Sequence, residues 1–96
     1  MRRSVLEQIR SAIRRGEFDM TAHAFEEMGE DELDLFDVEA AILSGSIMRV
    51  EKDDPRGPRY TILGTAADGL SPVGLVGRFK ATARYLIITA YRVREP

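Results

Sequence analysis

The stretch Asp34-Leu-Phe-Asp-Val-Glu-Ala-Ala-Ile-Leu-Ser-Gly-Ser-Ile-Met-Arg-Val-Glu51 decides the fold, because the spacing of its apolar residues changes period half-way along. Leu35, Val38, Ala41 and Ile42 recur at helical spacing and give one core side. Asp34 suits the N-cap, Asp37 lies near the first turn, and Ser44-Gly45 stops the helix. After Gly45 the period is two, and Ile47-Met-Arg-Val-Glu51 reads as a strand. Everything before this boundary reads as helix, and everything after it reads as strand.

Working toward the N-terminus, Ser4-Val-Leu-Glu7 has the pattern of a capping box. Val5, Leu6, Ile9, Ala12 and Ile13 follow at helical spacing, and Gly16 suits a left-handed stop. A first helix is expected over about 4–15, with Arg10, Arg14 and Arg15 near its C-terminal end, where the helix dipole favours cations. A second helix is expected over about 20–28. Its apolar side is Ala22, Phe25 and Met28, Gly29 ends it, and Leu33 anchors the connection to the third helix at about 35–44. Working toward the C-terminus, strands are expected at about 46–52, 59–65, 73–80 and 85–93. Asp53-Asp-Pro-Arg-Gly-Pro58 is a turn-rich break, and Asp68-Gly69 is a hairpin signal. The glycines of Val73-Gly-Leu-Val-Gly77 suggest a bulge or close packing. Tyr85-Leu-Ile-Ile-Thr-Ala-Tyr91 is nearly apolar throughout and reads as central and covered on both faces. The expectation is an α+β fold, one domain over residues 1–96, with the helices on one face of a four-stranded antiparallel meander.

Ninety-six residues suit a single core, and the chain has no internal repeat or linker. With no cysteine and one histidine, neither a disulfide nor a thiolate or multi-histidine zinc site can be built. No window is apolar enough for a bilayer span or a signal peptide, so a cytoplasmic protein is expected, with no cofactor. The net charge of −2 hides a strong segregation: residues 1–15 carry +4, residues 16–48 carry −10 with no Lys or Arg, and residues 49–96 carry +4. The basic C-terminal half suits an anionic partner, and the acidic segment suits a solvated surface or a protein partner.

P-loop, Gly-x-Gly-x-x-Gly, Gly-x-Ser-x-Gly and His-Glu-x-x-His motifs are all absent. His23, at the start of the second helix, is the single imidazole. It suits either acid–base chemistry or a structural hydrogen bond. Arg59, Arg78, Lys80, Arg84 and Arg92 interleave with Tyr60, Tyr85 and Tyr91 in the strand block. Such a mixture suits phosphate contact and base stacking, and equally suits charged edge strands around core tyrosines.

The order His23-Ala-x-Glu-x-Met28, Glu30, Leu33, Asp37-Val38 and Ile42-Leu-x-Gly45 resembles the bacterial family named domain of unknown function 4258. So do Arg59-Tyr60-x-Ile-x-Gly64, Asp68-Gly69, the strand ending in Lys80, and Leu86-Ile-Ile-Thr-x-Tyr91. The resemblance covers about residues 20–93. That family is similar in turn to RelE/ParE-like toxins of the MqsR and BrnT types. The resemblance implies a RelE-like fold and the toxin of a type II toxin–antitoxin pair, acting on RNA or the ribosome. It implies an antitoxin partner, of the YgiT zinc-finger type in some members, and a metal-independent mRNA endonuclease activity. On that reading His23, Lys80, Arg78 and Tyr91 are the catalytic candidates. Arg59, Tyr60, Arg84 and Arg92 are the RNA-binding candidates. The alternative is a non-catalytic protein-interaction module on the same fold. The chain departs from its relatives at Asp31, where many of them carry Arg.

Overall fold

The structure is a computed structural model and describes residues 3–94. Its three helices and five strands run in the order α1 (Val5–Arg14), β1 (Phe18–Met20), α2 (Ala22–Glu30), α3 (Leu35–Ser44), β2 (Ser46–Glu51), β3 (Arg59–Thr65), β4 (Pro72–Phe79) and β5 (Tyr85–Arg92). The sheet order is β1-β5-β4-β3-β2. Strands β2 to β5 form the expected antiparallel meander. The four-strand expectation is corrected by β1, which adds a fifth strand parallel to β5. Three residues are too few to display a period, so nothing in the sequence marks Phe18–Met20 as a strand.

Local chemistry sets the ends of the helices. Ser4 caps α1 by accepting the Glu7 amide, but Glu7 turns its own side chain to Arg10, so only half of the expected capping box forms. Asp34 and Asp37 of α3 complete a full reciprocal box. Helix α1 ends in a Schellman motif, in which a left-handed residue lets two amides turn back onto the last carbonyls. Gly16 takes that conformation at φ 69°, and the Glu17 amide bonds to the Ala12 carbonyl at 2.8 Å. Helix α2 ends in the same motif without a glycine. It runs past Gly29 to Glu30, Glu32 takes φ 55°, and the Leu33 amide bonds to the Met28 carbonyl at 2.8 Å. Burial of Leu33 fixes this stop, which is why the glycine position misleads.

All three helices pack on one face of the sheet. The core joins Ile9, Ala12 and Ile13 of α1, Ala24 and Met28 of α2, and Val38, Ala41 and Ile42 of α3 to Ile62, Val73, Leu75, Tyr85, Ile87 and Ala90. The second helix therefore buries Ala24 and Met28, and leaves Phe25 56% exposed against expectation. Leu35 is likewise exposed, because the first turn of α3 overhangs the core. Strand β5 lies between β1 and β4, but helices cover only one of its faces, which corrects the expectation of a doubly covered strand.

Glycines set the closest approaches. A Cβ on Gly64 of β3 would overlap the Ala41 backbone, so α3 sits directly on the strand. Gly77 makes room for the Tyr85 ring on the core side, and Gly74 for the Tyr91 ring on the opposite side. We expect Gly64→Ala to destabilise the fold by about 2 kcal/mol, because backbone meets backbone and neither can yield. Gly29→Ala is expected to stabilise it by roughly 0.5–1 kcal/mol, as usual for alanine over glycine inside a helix. Nothing lies within 4 Å of the methyl that this change adds. Urea unfolding of the two variants should show opposite signs.

Candidate functional site

The candidate site is the uncovered face of the sheet, and two β-bulges decide what stands on it. Between Ile47 and Arg49 the pairing of β2 with β3 slips by one residue. Between Val76 and Gly77 the pairing of β4 with β5 slips as well, leaving Ile88 extra on β5. A side chain faces the same way as its partner across a ladder, and a one-residue slip reverses the alternation. Arg49 therefore shares a face with its partner Thr61, although Ile47 beside it points to the core. Thr89 and Tyr91 leave the core side that Tyr85 and Ile87 occupy and stand beside Val76 and Gly74.

The open face thus carries Arg49, Arg59, Thr61, Leu63, Val76, Arg78, Leu86, Thr89 and Tyr91. Asp19 joins them as the partner of Leu86. Among the described residues of this face only Gly74 is buried, under the Tyr91 ring. The acids of residues 26–39 lie on α2, α3 and their connection, in the other layer.

At one corner two cationic side chains meet a single carboxylate. Lys80 Nζ lies 3.0 Å from Asp19 Oδ2, and Arg84 donates to both Asp19 oxygens at 3.0 Å and to the Phe18 carbonyl at 3.0 Å. The Arg84 guanidinium, and then the Lys80 ammonium, hold the Asp19 carboxyl down at about 2. The sequence places Lys80 and Arg84 among the candidates, but it gives no sign of Asp19 as their partner, because 61 positions separate Lys80 from it.

The outer edge of β5 carries the second cluster. Among the described residues no strand pairs with this edge beyond Ile87, and α2 and its flanks supply side chains instead. Thr21 donates from its amide to the Ile87 carbonyl at 3.0 Å and from its hydroxyl to the Ile88 carbonyl at 2.7 Å. Glu27 accepts from the Thr89 hydroxyl and from the Ala90 amide. Asp31 accepts from the Arg92 amide at 2.8 Å. That amide, followed by the Arg94 guanidinium, lowers the Asp31 carboxyl below its usual range. Asp31 is therefore a sheet-edge cap in this chain. His23 Nε2 lies 3.3 Å from Glu27 Oε1, with its side chain 68% exposed. Glu27 also accepts from Thr89, which links the pair to the open face.

Arg78 and Tyr91 stand on that face, and Lys80 and Arg84 meet at its corner. Arg59 also lies there, paired with Glu51 at 3.2 Å. His23 stands at the rim, one side chain removed. Two candidates lie off it. Tyr60 packs against the core as the partner of Gly77, and Arg92 is turned to the Asp31 carbonyl. Arg49, Glu27 and Asp19 have no assigned role at the level of sequence. The one available signal is for Arg49: Ile47 and Val50 are both apolar three positions apart, an odd spacing that a bulge explains. Of two concavities of about 510 Å³, one borders this face at Arg56 and Arg59 and the other lies beside α1. Among the described residues no group of three His, Asp or Glu is placed to hold a metal, and no helix is long and apolar enough to cross a membrane.

A family model described as domain of unknown function (DUF4258) matches residues 20–92. The chain belongs to the DUF4258 family. No curated protein and no solved structure matches it. The DUF4258 match takes in α2 through β5 and with them His23, Glu27 and the open face, but it omits α1 and Asp19.

Because Asp19 is held at about 2 against an ordinary value near 3.8, its folded form releases the proton more readily than its unfolded form. Its contribution to stability is complete above about pH 4 and disappears as the pH falls toward about 2. We expect Asp19→Asn to be less stable than the parent at pH 6, with the difference closing between pH 4 and pH 2. Chemical denaturation of both proteins across that range measures it.

Proposed function

We propose that this DUF4258 protein is the toxin-like component of a type II toxin–antitoxin pair, and that it engages RNA on the open sheet face as a metal-independent endonuclease. The observation that carries the reading is the sorting of charge between the two layers. Arg49, Arg59, Arg78, Lys80 and Arg84 gather on or beside the bare sheet against Asp19 and Glu51, a cationic surplus, while α2, α3 and their connection hold the acids of residues 26–39. An acidic chain can thus present a cationic surface to a polyanion. Helices on one face of a mainly antiparallel sheet also accord with a RelE-like fold.

The chemistry needs a base, cations and an acid. The ribose 2′-oxygen attacks the adjacent phosphorus as its proton passes to the base, and the bond from phosphorus to the 5′-oxygen breaks as the acid protonates that oxygen. His23 serves as base, its Nε2 edge held by Glu27 so that Nδ1 is left to accept the proton. Arg78 stabilises the charge that develops on phosphate, and Tyr91 serves as acid. Lys80 and Arg84 bind a flanking phosphate. The acidic helices suit a basic antitoxin, such as a YgiT-type zinc-finger protein.

A second reading, a non-catalytic docking module in the cytoplasm, is favoured by two observations. Lys80 is already neutralised by Asp19. Strand β2 also presents a free outer edge, with Met48 62% exposed, and a partner strand can add to such an edge. Induced expression separates the two. On the nuclease reading growth stops and cellular mRNA is cut, and Arg78→Ala combined with His23→Ala restores growth while the circular dichroism spectrum is unchanged. Harmless expression with intact RNA supports the docking module.

A further inference from the structure

The cleft beside α1 lies in the helical layer, away from the open sheet face, and has no part in the chemistry above. It encloses about 510 Å³ between one side of α1 and the β4–β5 turn. Gln8, Ser11, Ala12 and Arg15 line it from the helix, Arg3 and Glu17 from either end of the helix, and Phe79 and Ala83 from the turn. Two observations single it out. Among the described residues Arg3 and Arg15 make no ion pair, whereas Arg10, on the same helix, is bound to Glu7 and to the carbonyls of Ile42 and Gly45. Phe79 stands edge-on to Tyr85 at 5.1 Å, an arrangement that fixes its ring at the base of the cleft. Ala83 is held left-handed at φ 71°. The β4–β5 hairpin sets that conformation, with the Ala83 amide bonded to the Lys80 carbonyl at 2.9 Å and the Lys80 amide to the Arg84 carbonyl at 2.8 Å.

The geometry points to a binding site for a nucleoside monophosphate in this cleft. Arg3 and Arg15 take the phosphate, assisted by the Ser11 hydroxyl and the Gln8 amide, and the planar base lies against Phe79 and Ala83. Charge selects the number of phosphates. Two arginines against Glu17 leave one surplus positive charge, which suits a monophosphate better than a di- or triphosphate. The volume lies in the range of sites for ligands of this size. The site stands independently of any reading of the open sheet face.

Titration of the full chain with adenosine monophosphate, adenosine and inorganic phosphate, followed by amide NMR, tests it. The monophosphate should perturb Ser11, Ala12, Phe79 and Ala83, and should bind about tenfold or more tighter than either fragment alone. Arg3→Ala with Arg15→Ala should weaken it by about tenfold or more at an unchanged thermal midpoint, while Arg14→Ala, outside the cleft, should leave it unaltered. Phe79→Leu should remove the advantage over phosphate; if that variant unfolds, the arginine pair still decides. The site is overturned by absence of binding at millimolar nucleotide, by binding that survives the arginine double variant, by phosphate alone matching the nucleotide, or by perturbations centred on Arg78 and Tyr91.

Discussion

Among the described residues the outer edge of β5 has no neighbouring strand beyond Ile87, and every polar group along it needs a partner. Helix α2 meets that need with Thr21, Glu27 and Asp31, spaced along its length so that each reaches the next free group on the edge. The rest of the architecture follows. Because these residues turn toward the strand, Ala24 and Met28 turn into the core and Phe25 turns out. His23 is carried to the rim of the sheet, and β1 need be only long enough to cover the first three residues of β5.

The bulges act on chemistry in the same indirect way. Each inserts a single residue, yet each reverses the facing of every residue beyond it on its strand. Without the slip at Ile88, Tyr91 would point into the helical layer, away from the space that Gly74 leaves for it. Without the slip at Met48, Arg49 would point toward the core, with no acid beside it. Arg49 and the Tyr91 ring stand on the bare face because two strands are irregular.

Long, periodic features were legible in the sequence. The third helix and the strand at 59–65 have the expected bounds, and the other elements shift by one or two residues. Asp34 and Asp37 make the expected cap because both partners of that interaction lie within one turn. Features that depend on distant partners were not legible. Asp19 carried no sign of its role because its partners, Lys80 and Arg84, come at the far end of the chain. Asp31 looked like a damaged family position because the amide it caps belongs to Arg92. Tyr60, a candidate for RNA binding, and Tyr91, a candidate for catalysis, both looked available to an RNA. Only the register separates them, and an almost uniformly apolar β5 carries no mark of where its register slips.

The region shared with the family begins at Met20, yet the core does not. Ile9, Ala12 and Ile13 are buried against the rest, and Arg10 binds the carbonyls of Ile42 and Gly45 where α3 hands over to β2. Three buried side chains of this size represent several kcal/mol of burial, comparable with the whole stability of a small domain. The region that the family model matches is therefore smaller than the core of this chain. A relative without an equivalent of α1 must cover the same surface of α3 with something else, and a subunit or a partner protein is as suitable a cover as a helix of its own.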